Sequence, residues 1–368
     1  MGYADIVYGY PDVGGRFSAI SPFGLFPALL MGCSAEEIIE SAREMSATCF
    51  QSSGARDNPG AVLGAVLVSL VDSGKDLIEL YSSRKMRGMN AWVEQLLAES
   101  TGKNNKGLWP LCPLDELFRP EWALDSESGV VGRFDATKGK ALKPESSSVS
   151  WDTKGIQDIG GEVYRWEVAT AAAAALLEIP PFNEPDVAVA KGFVLQALER
   201  LRKGEGLPWP SESMSKGDLT VLGVCEESDT PRIILDEFIE KSLREKGGLT
   251  FLVYMPQTQE VLDGLQKMVV CFEERWSFPL RLAFGPQYLH ASGQLHKGGS
   301  DRSGHLILSA DASEDLVLSE QGGVSMGDLA LSQALADAQA LESRGRRVLH
   351  LHCPGGYGSA LDLVTALL

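Results

Sequence analysis

The stretch LTFLVYMPQTQEVLDGLQKMVVCFEERWSFPLRLAF, residues 249–284, decides the fold. It opens on an apolar run, Leu249 to Met255, passes through a helical stretch, Gln259 to Phe272, and closes on a second short apolar run, Leu280 to Phe284. That order reads as strand, helix, strand. The same alternation extends outward. His305 to Leu308 reads as a strand, Met326 to Ser343 as a long helix and Val348 to His352 as a last strand. Upstream, Gly161 to Glu178 reads as a helix carried by the alanines 171–175, and Glu184 to Arg202 as another. Ser34 with Glu37 three residues later forms a capping box that opens a helix to about Gln51. Asn58-Pro59-Gly60 precedes a helix to about Val71, Leu77 to Tyr81 reads as a strand, and Met89 to Thr101 as a helix stopped by Gly102. Leu108 to Cys112 and Val130 to Phe134 are further candidate strands. Alternating elements of this kind argue for an α/β fold with a mainly parallel sheet. Residues 136–160 and 203–217, rich in Lys, Ser, Gly, Pro and Asp, read as surface connections.

The chain has 368 residues, 44% hydrophobic and 23% charged, an ordinary globular composition. Its 33 basic and 50 acidic residues leave a net charge of −17. That argues against a nucleic-acid partner, since phosphate backbones select a basic surplus, but a small anionic substrate needs only a local positive pocket. Residues Met1 to Tyr10 lack the pattern of a secretory signal. The most apolar segment, Phe17 to Cys33, is too short and too interrupted by Pro22, Gly24 and Pro27 to span a membrane. Six scattered cysteines without C-x-x-C spacing suggest reduced thiols in a cytoplasmic enzyme.

Four runs carry candidate chemistry. Gln95 and Glu99 lie four residues apart on one helix and share a face, where a carboxylate in a suitable pocket acts as a general base; the spacing alone favours an exposed polar face. Gly14-Gly15-Arg16 combines backbone freedom with a cation, which suits an anion, and also fits a plain turn. His290-Ala291-Ser292-Gly293-Gln294-Leu295-His296-Lys297-Gly298-Gly299 follows a strand, where ligands of open α/β sheets bind, and its histidines can move protons or fill a structural turn. No acidic or Cys partner stands at metal-ligand spacing from them. Pro181-Phe182-Asn183-Glu184-Pro185-Asp186-Val187, with Lys191 beyond, reads as a turn into a capped helix. Walker A, H-E-x-x-H and Rossmann glycine patterns are absent.

Taken together, these runs resemble glucose-6-phosphate isomerase, most closely the isomerase half of transaldolase/glucose-6-phosphate isomerase fusion proteins. The matching stretches are Asp12 to Ser18, Gln95 to Lys103, Arg165-Trp166-Glu167 with the alanine helix, Pro181 to Lys191, and Gly285 to Gly299, with weaker similarity to about residue 352. The resemblance implies a three-layer α/β/α sandwich of the sugar-isomerase (SIS) type. It implies an aldose–ketose isomerase that interconverts glucose 6-phosphate and fructose 6-phosphate through an enediol, in glycolysis and gluconeogenesis, with no metal and no cofactor. Glu99 then looks like the base, Arg16 like the stabiliser of the enediolate, and His290 like the ring-opening acid/base assisted by Lys191. Gly15, Gln95, Glu184 and Gln294 look like substrate contacts. A homodimer is implied, because the family's histidine reaches the site from a partner subunit. Two departures stand out: His290 follows Lys191, as in the fusion proteins, and Glu184 stands where the family usually has Gln. The family's first sugar-phosphate subdomain would precede residue 14, so residues 1–75 are expected to be its helical remnant, 76–352 the α/β domain and 353–368 a tail.

Overall fold

Helices α1 (Pro22–Leu30), α2 (Ala35–Gln51) and α3 (Pro59–Asp72) start where the sequence supplies caps. Ser21 Oγ accepts from the Phe23 N–H, Ser34 Oγ from the Glu37 N–H, and Asn58 Oδ1 from the Ala61 N–H. Each satisfies a donor that the first helical turn leaves open. The computed structural model in which these elements are seen describes residues 5–51, 54–73, 76–82, 86, 88–111, 131–133, 148–150, 155–210, 213–222, 230–276, 280–312, 314–318 and 323–368. Cys112 and Cys225, and most of the connection expected at 136–160, lie outside them.

The chain divides into two compact units, residues 1–136 with 144–183, and residues 137–143 with 184–368. The division therefore falls at 183/184 and not at the expected 75/76. The physical reason is shared burial. The first unit continues with β1 (Leu77–Tyr81), α4 (Gly88–Thr101), β2 (Trp109–Leu111), β3 (Val131–Arg133), β4 (Ser148–Ser150) and α5 (Ile159–Leu176). One core joins Leu63 and Leu67 of α3, Ile78 and Leu80 of β1, Val93, Leu96 and Leu97 of α4, and Val163, Trp166 and Ala169 of α5. Helices α2 and α3 thus pack on α5. The approach is close: a Cβ at Gly160 would stand 1.9 Å from the Ile38 carbonyl oxygen, and one at Gly64 would stand 2.6 Å from that of Ala169. The small sheet runs β2-β1-β3-β4, parallel only between β1 and β2. By contrast α1, apolar along its length, buries none of its residues.

The second unit contains α6 (Pro185–Arg202), β5 (Ser213–Lys216), β6 (Leu219–Leu222), α7 (Pro231–Lys246), β7 (Leu249–Tyr254), α8 (Gln259–Arg275) and β8 (Leu280–Phe284). It continues with a 3-10 turn (Gln287–His290), α9 (Gly293–Gly298), β9 (Gly304–Ala310), α10 (Met326–Ser343), β10 (Val348–Cys353) and α11 (Tyr357–Leu367). Its six-stranded sheet has the order β5-β6-β10-β9-β7-β8. Strands β10, β9, β7 and β8 are mutually parallel, and the β5–β6 hairpin adds antiparallel to β10. Successive strand residues face opposite ways. Leu252, Tyr254 and Ile307 pack with Ala334, Ala338 and Leu341 of α10, while the neighbouring Phe251 meets Phe272 of α8 edge-on. The sheet is thus covered on both faces, the three-layer α/β/α arrangement expected.

The expected break at 203–217 ends in a strand, because Gly217 (φ 63°) turns the chain between Lys216 and Leu219. The expected tail is largely α11, which buries Ala360, Leu361 and Val364. Among the described residues Cys33, Cys271 and Cys353 are free thiols, and no helix is long and apolar enough to cross a membrane.

Candidate active site

In the first unit the run Gly14-Gly15-Arg16 forms a short 3-10 turn, Gly15–Phe17. It aims Arg16 inward, leaving the residue 4% exposed. Taking a guanidinium out of water costs several kcal/mol unless its donors are met, and here they are. Nη1 donates to Glu99 Oε2 at 2.9 Å, Nε to Ser100 Oγ at 3.1 Å, and Nη2 to the carbonyl oxygens of Pro181 at 2.7 Å and Asn183 at 3.2 Å. The turn itself is held by the indole N–H of Trp92 on α4, which donates to the Arg16 carbonyl at 3.1 Å. Phe17 packs against Phe182 with ring centroids 5.2 Å apart. Sequence separation of more than 80 residues is closed in one buried ion pair.

Glu99 occupies the last turn of α4 and is itself buried. Gln95 lies one turn earlier, half-buried. Lys103, also buried, donates from Nζ to the carbonyls of Ser100 at 3.0 Å and Pro180 at 2.8 Å. Lys106 reaches the Leu177 carbonyl at 3.0 Å. Two lysines therefore pin the 177–183 segment whose carbonyls receive the Arg16 guanidinium. Nothing lies within 4 Å of a Cβ built on Gly15, so packing within the unit does not demand a glycine there. On α5, Glu167 is half-buried with an Oε1 that has no partner among the described residues, and burial raises its carboxyl to about 8.

The second unit places its candidates separately. Glu184 is the exposed residue that precedes α6, with Pro185 in the first turn. Lys191 lies exposed on α6, and His290 exposed at the end of the 3-10 turn that follows β8. Gln294, by contrast, is fully buried. Its Oε1 accepts from the Asp186 N–H at 2.9 Å and its Nε2 donates to Asp186 Oδ2 at 2.5 Å, while Arg344 pairs with the other Asp186 oxygen. Its amide thereby ties α9 to the first turn of α6. Glu99 and Arg16 are brought together; Gln294 joins Asp186.

Around α9 lies a buried polar cluster that the sequence reading named only as a run. Lys297 Nζ meets Asp337 Oδ1 at 2.6 Å, and the Tyr288 hydroxyl donates to Asp337 Oδ2. Burial drives both toward their neutral forms, Lys297 down to about 7 and Asp337 up to about 8. His296 Nδ1 lies 3.1 Å from His305 Nε2. Burial holds His305 down to about 3 and His296 well below the usual histidine range. Arg346 clamps the end of α9 through the carbonyls of Lys297 and Gly299, at 2.7 and 2.6 Å. Scattered in sequence, Asp337, His305 and Arg346 gave no spacing signal that would have joined them to the run.

No family model matches the chain. Over 239 residues it is 38% identical to the glucose-6-phosphate isomerase of Rubrobacter xylanophilus, covering 52% of this chain and 54% of that protein. It is 26% identical over 242 residues to that of Mesoplasma florum, covering 52% of this chain and 56% of the relative. It is 40% identical over 101 residues to that of Mycoplasmopsis synoviae, 27% of this chain and 23% of the relative. The chain thus spans between about a fifth and somewhat over half of these relatives' lengths. In sequence, the chain is similar to glucose-6-phosphate isomerases over part of its own length and part of theirs.

Proposed function

We propose that the chain provides the proton-transfer machinery of an aldose–ketose isomerase acting on glucose 6-phosphate and fructose 6-phosphate. The observation that supports this best is the buried Arg16–Glu99 pair at 2.9 Å, set in two of the stretches that carry the resemblance. In this reading Glu99 takes the proton from C2 of the open-chain aldose and returns it to C1, and C1–C2 becomes an enediol on the way. Arg16, fixed by carbonyl and hydroxyl acceptors as well as by Glu99, offers a cation that need not reorganise as charge develops on the enediolate oxygen. Gln95 contacts the sugar from the same helix face, and Gly15 lets the turn approach it. His290 and Lys191 open the sugar ring. Glu184 stands at the phosphate end, and Gln294 acts through Asp186 to fix the start of the helix that carries Lys191. The working form is a cytoplasmic homodimer that needs no metal or cofactor and binds neither nucleic acid nor membrane.

A second reading, a sugar-phosphate-binding module without turnover, is favoured by Glu184: an exposed carboxylate repels a phosphate dianion. Calorimetric titration with fructose 6-phosphate alongside a coupled assay for glucose 6-phosphate separates the two. Binding with turnover is the expected result. Binding without turnover supports the module, and absence of both overturns each reading.

A further inference from the structure

In the first unit, the turn that follows α4 holds one cation still. The Gly102 N–H donates to the Ala98 carbonyl at 3.0 Å, the Lys103 N–H to the Thr101 carbonyl at 2.8 Å, and the Lys106 N–H to the Lys103 carbonyl at 2.9 Å. Thr101 Oγ1 donates to the Leu97 carbonyl at 2.7 Å and accepts from the Leu108 N–H at 3.1 Å, which ties the far end of the turn back to the helix. Gly107, at φ 134°, comes so close that a Cβ there would stand 2.9 Å from the Thr101 carbonyl oxygen. The backbone of Lys103 is thus fixed on both sides, and the residue is 3% exposed.

Taking an ammonium out of water is costly, and a neutral donor would serve a plain structural tie. A cation adds stronger hydrogen bonds and complements the last carbonyls of α4, where negative partial charge gathers. Lys103 Nζ takes one of these, Ser100, at 3.0 Å, together with the Pro180 carbonyl at 2.8 Å. Residues 180–183 are where the Arg16 guanidinium finds half of its acceptors. Pro180 and Pro181 have no N–H, so the chain cannot anchor itself there with donors of its own. It is held by carbonyl oxygens: that of Pro180 accepts from Lys103, and those of Pro181 and Asn183 accept from Arg16 Nη2. The other acceptors of Arg16, Glu99 Oε2 and Ser100 Oγ, lie at the end of α4. Arg16 therefore spans two segments, and Lys103 bridges the same two. Ser100 meets both cations, one through its hydroxyl and the other through its carbonyl. The spacing that Lys103 sets is the spacing the guanidinium must fit.

We propose that Lys103 is a positioning residue: by setting the spacing between the end of α4 and residues 180–183, it holds the Arg16 guanidinium against the Glu99 carboxylate in the orientation that proton transfer uses. Its effect on rate rests on the isomerase reading, and its hold on Arg16 rests on the hydrogen bonds alone, so the test has two arms. The first follows hydrogen exchange of the Arg16 Nε–H by NMR, its signal assigned by its loss in Arg16→Lys. In the native chain this proton should exchange at least about 100-fold more slowly than in free arginine. Lys103→Met, which keeps the length and drops the charge, should speed it at least about tenfold with the circular dichroism spectrum unchanged, and Lys103→Arg should keep part of the protection. The second arm is the coupled assay with fructose 6-phosphate. Lys103→Met should lower kcat about 10²-fold, as a displacement of about 1 Å does, with KM within about threefold of native. Lys103→Arg should recover about tenfold of that loss. A lysine that only stabilised the fold would lower Tm without this split. If Lys103→Met does not fold, Lys103→Gln, which keeps N–H donors without the charge, replaces it in both arms. An Arg16 Nε–H that exchanges in the native chain as in free arginine overturns the proposal without any variant. In a folded variant, unchanged protection, near-native kcat, or a raised KM with kcat intact overturns it too. A native chain without turnover, whose Arg16 proton is nevertheless protected through Lys103, overturns the isomerase reading and supports the hold of Lys103 on Arg16.

Discussion

Arg16 shows how one side chain commits several parts of the first unit. Its guanidinium meets Glu99, Ser100 and two carbonyls, all within the first unit. Removing it strands a carboxylate and leaves buried acceptors unmet, so Arg16→Ala should destabilise the chain by about 3–5 kcal/mol. Urea unfolding monitored by fluorescence measures this, and a loss below about 1 kcal/mol would contradict the pairing. Arg16→Lys should recover only part of it, since an ammonium has no planar fork to span those acceptors. A second residue-level effect concerns protons. His305 and His350 are both held to about 3 when folded, against an ordinary value of 6.5. Between those values the unfolded chain binds more protons than the folded one. The stability these rings contribute is therefore complete above about pH 6.5 and is lost as pH falls toward 3, with a slope approaching about 2.7 kcal/mol per pH unit for two rings. Denaturation midpoints measured from pH 7 to pH 4 should fall accordingly, and a flat profile would show that the rings titrate normally when folded. The Arg16–Glu99 partnership was legible only through resemblance. Composition and spacing placed each residue on its element, but Pro181, Asn183 and Pro180 contribute carbonyl oxygens, which every residue carries, so no sequence signal marks them.

Among elements, the contact of α2 and α3 with α5 is set by glycines that let backbones meet. Gly160→Ala would place a methyl 1.9 Å from the Ile38 carbonyl oxygen, which cannot be relieved by rotating a side chain. We expect a loss of about 1–3 kcal/mol in denaturant unfolding, whereas Gly15→Ala, with open space around it, should lose little stability. Equal effects would contradict the packing described. Most helices and the parallel strands were readable because caps and apolar runs are local: Asn58 before α3, Thr258 before α8 and Ser325 before α10 all bond the first turn. What escaped was weakly patterned. Strand β5 reads Ser213-Met-Ser-Lys216, polar enough to resemble a loop, and exists through its pairing with β6. Helix α7, although capped by Thr230 and opened by Pro231, was also not anticipated. The division at residue 183 was hidden for a different reason: it depends on which helices share a core, a long-range property that no local pattern records.

For the molecule as a whole, the account rests on proton transfer by Glu99. An isomerisation that passes through an enediol exposes the migrating hydrogen to a carboxyl group in contact with exchangeable protons, so conversion in heavy water should place deuterium on the product carbon. The most direct measurement is therefore the rate of interconversion of fructose 6-phosphate and glucose 6-phosphate, with deuterium incorporation followed by NMR, for the native chain and for Glu99→Gln. The account predicts turnover with deuterium incorporation in the native chain and a rate about 10²–10⁴-fold lower in the variant, with fructose 6-phosphate still bound. A Glu99→Gln chain that isomerises and incorporates deuterium at a near-native rate would contradict it.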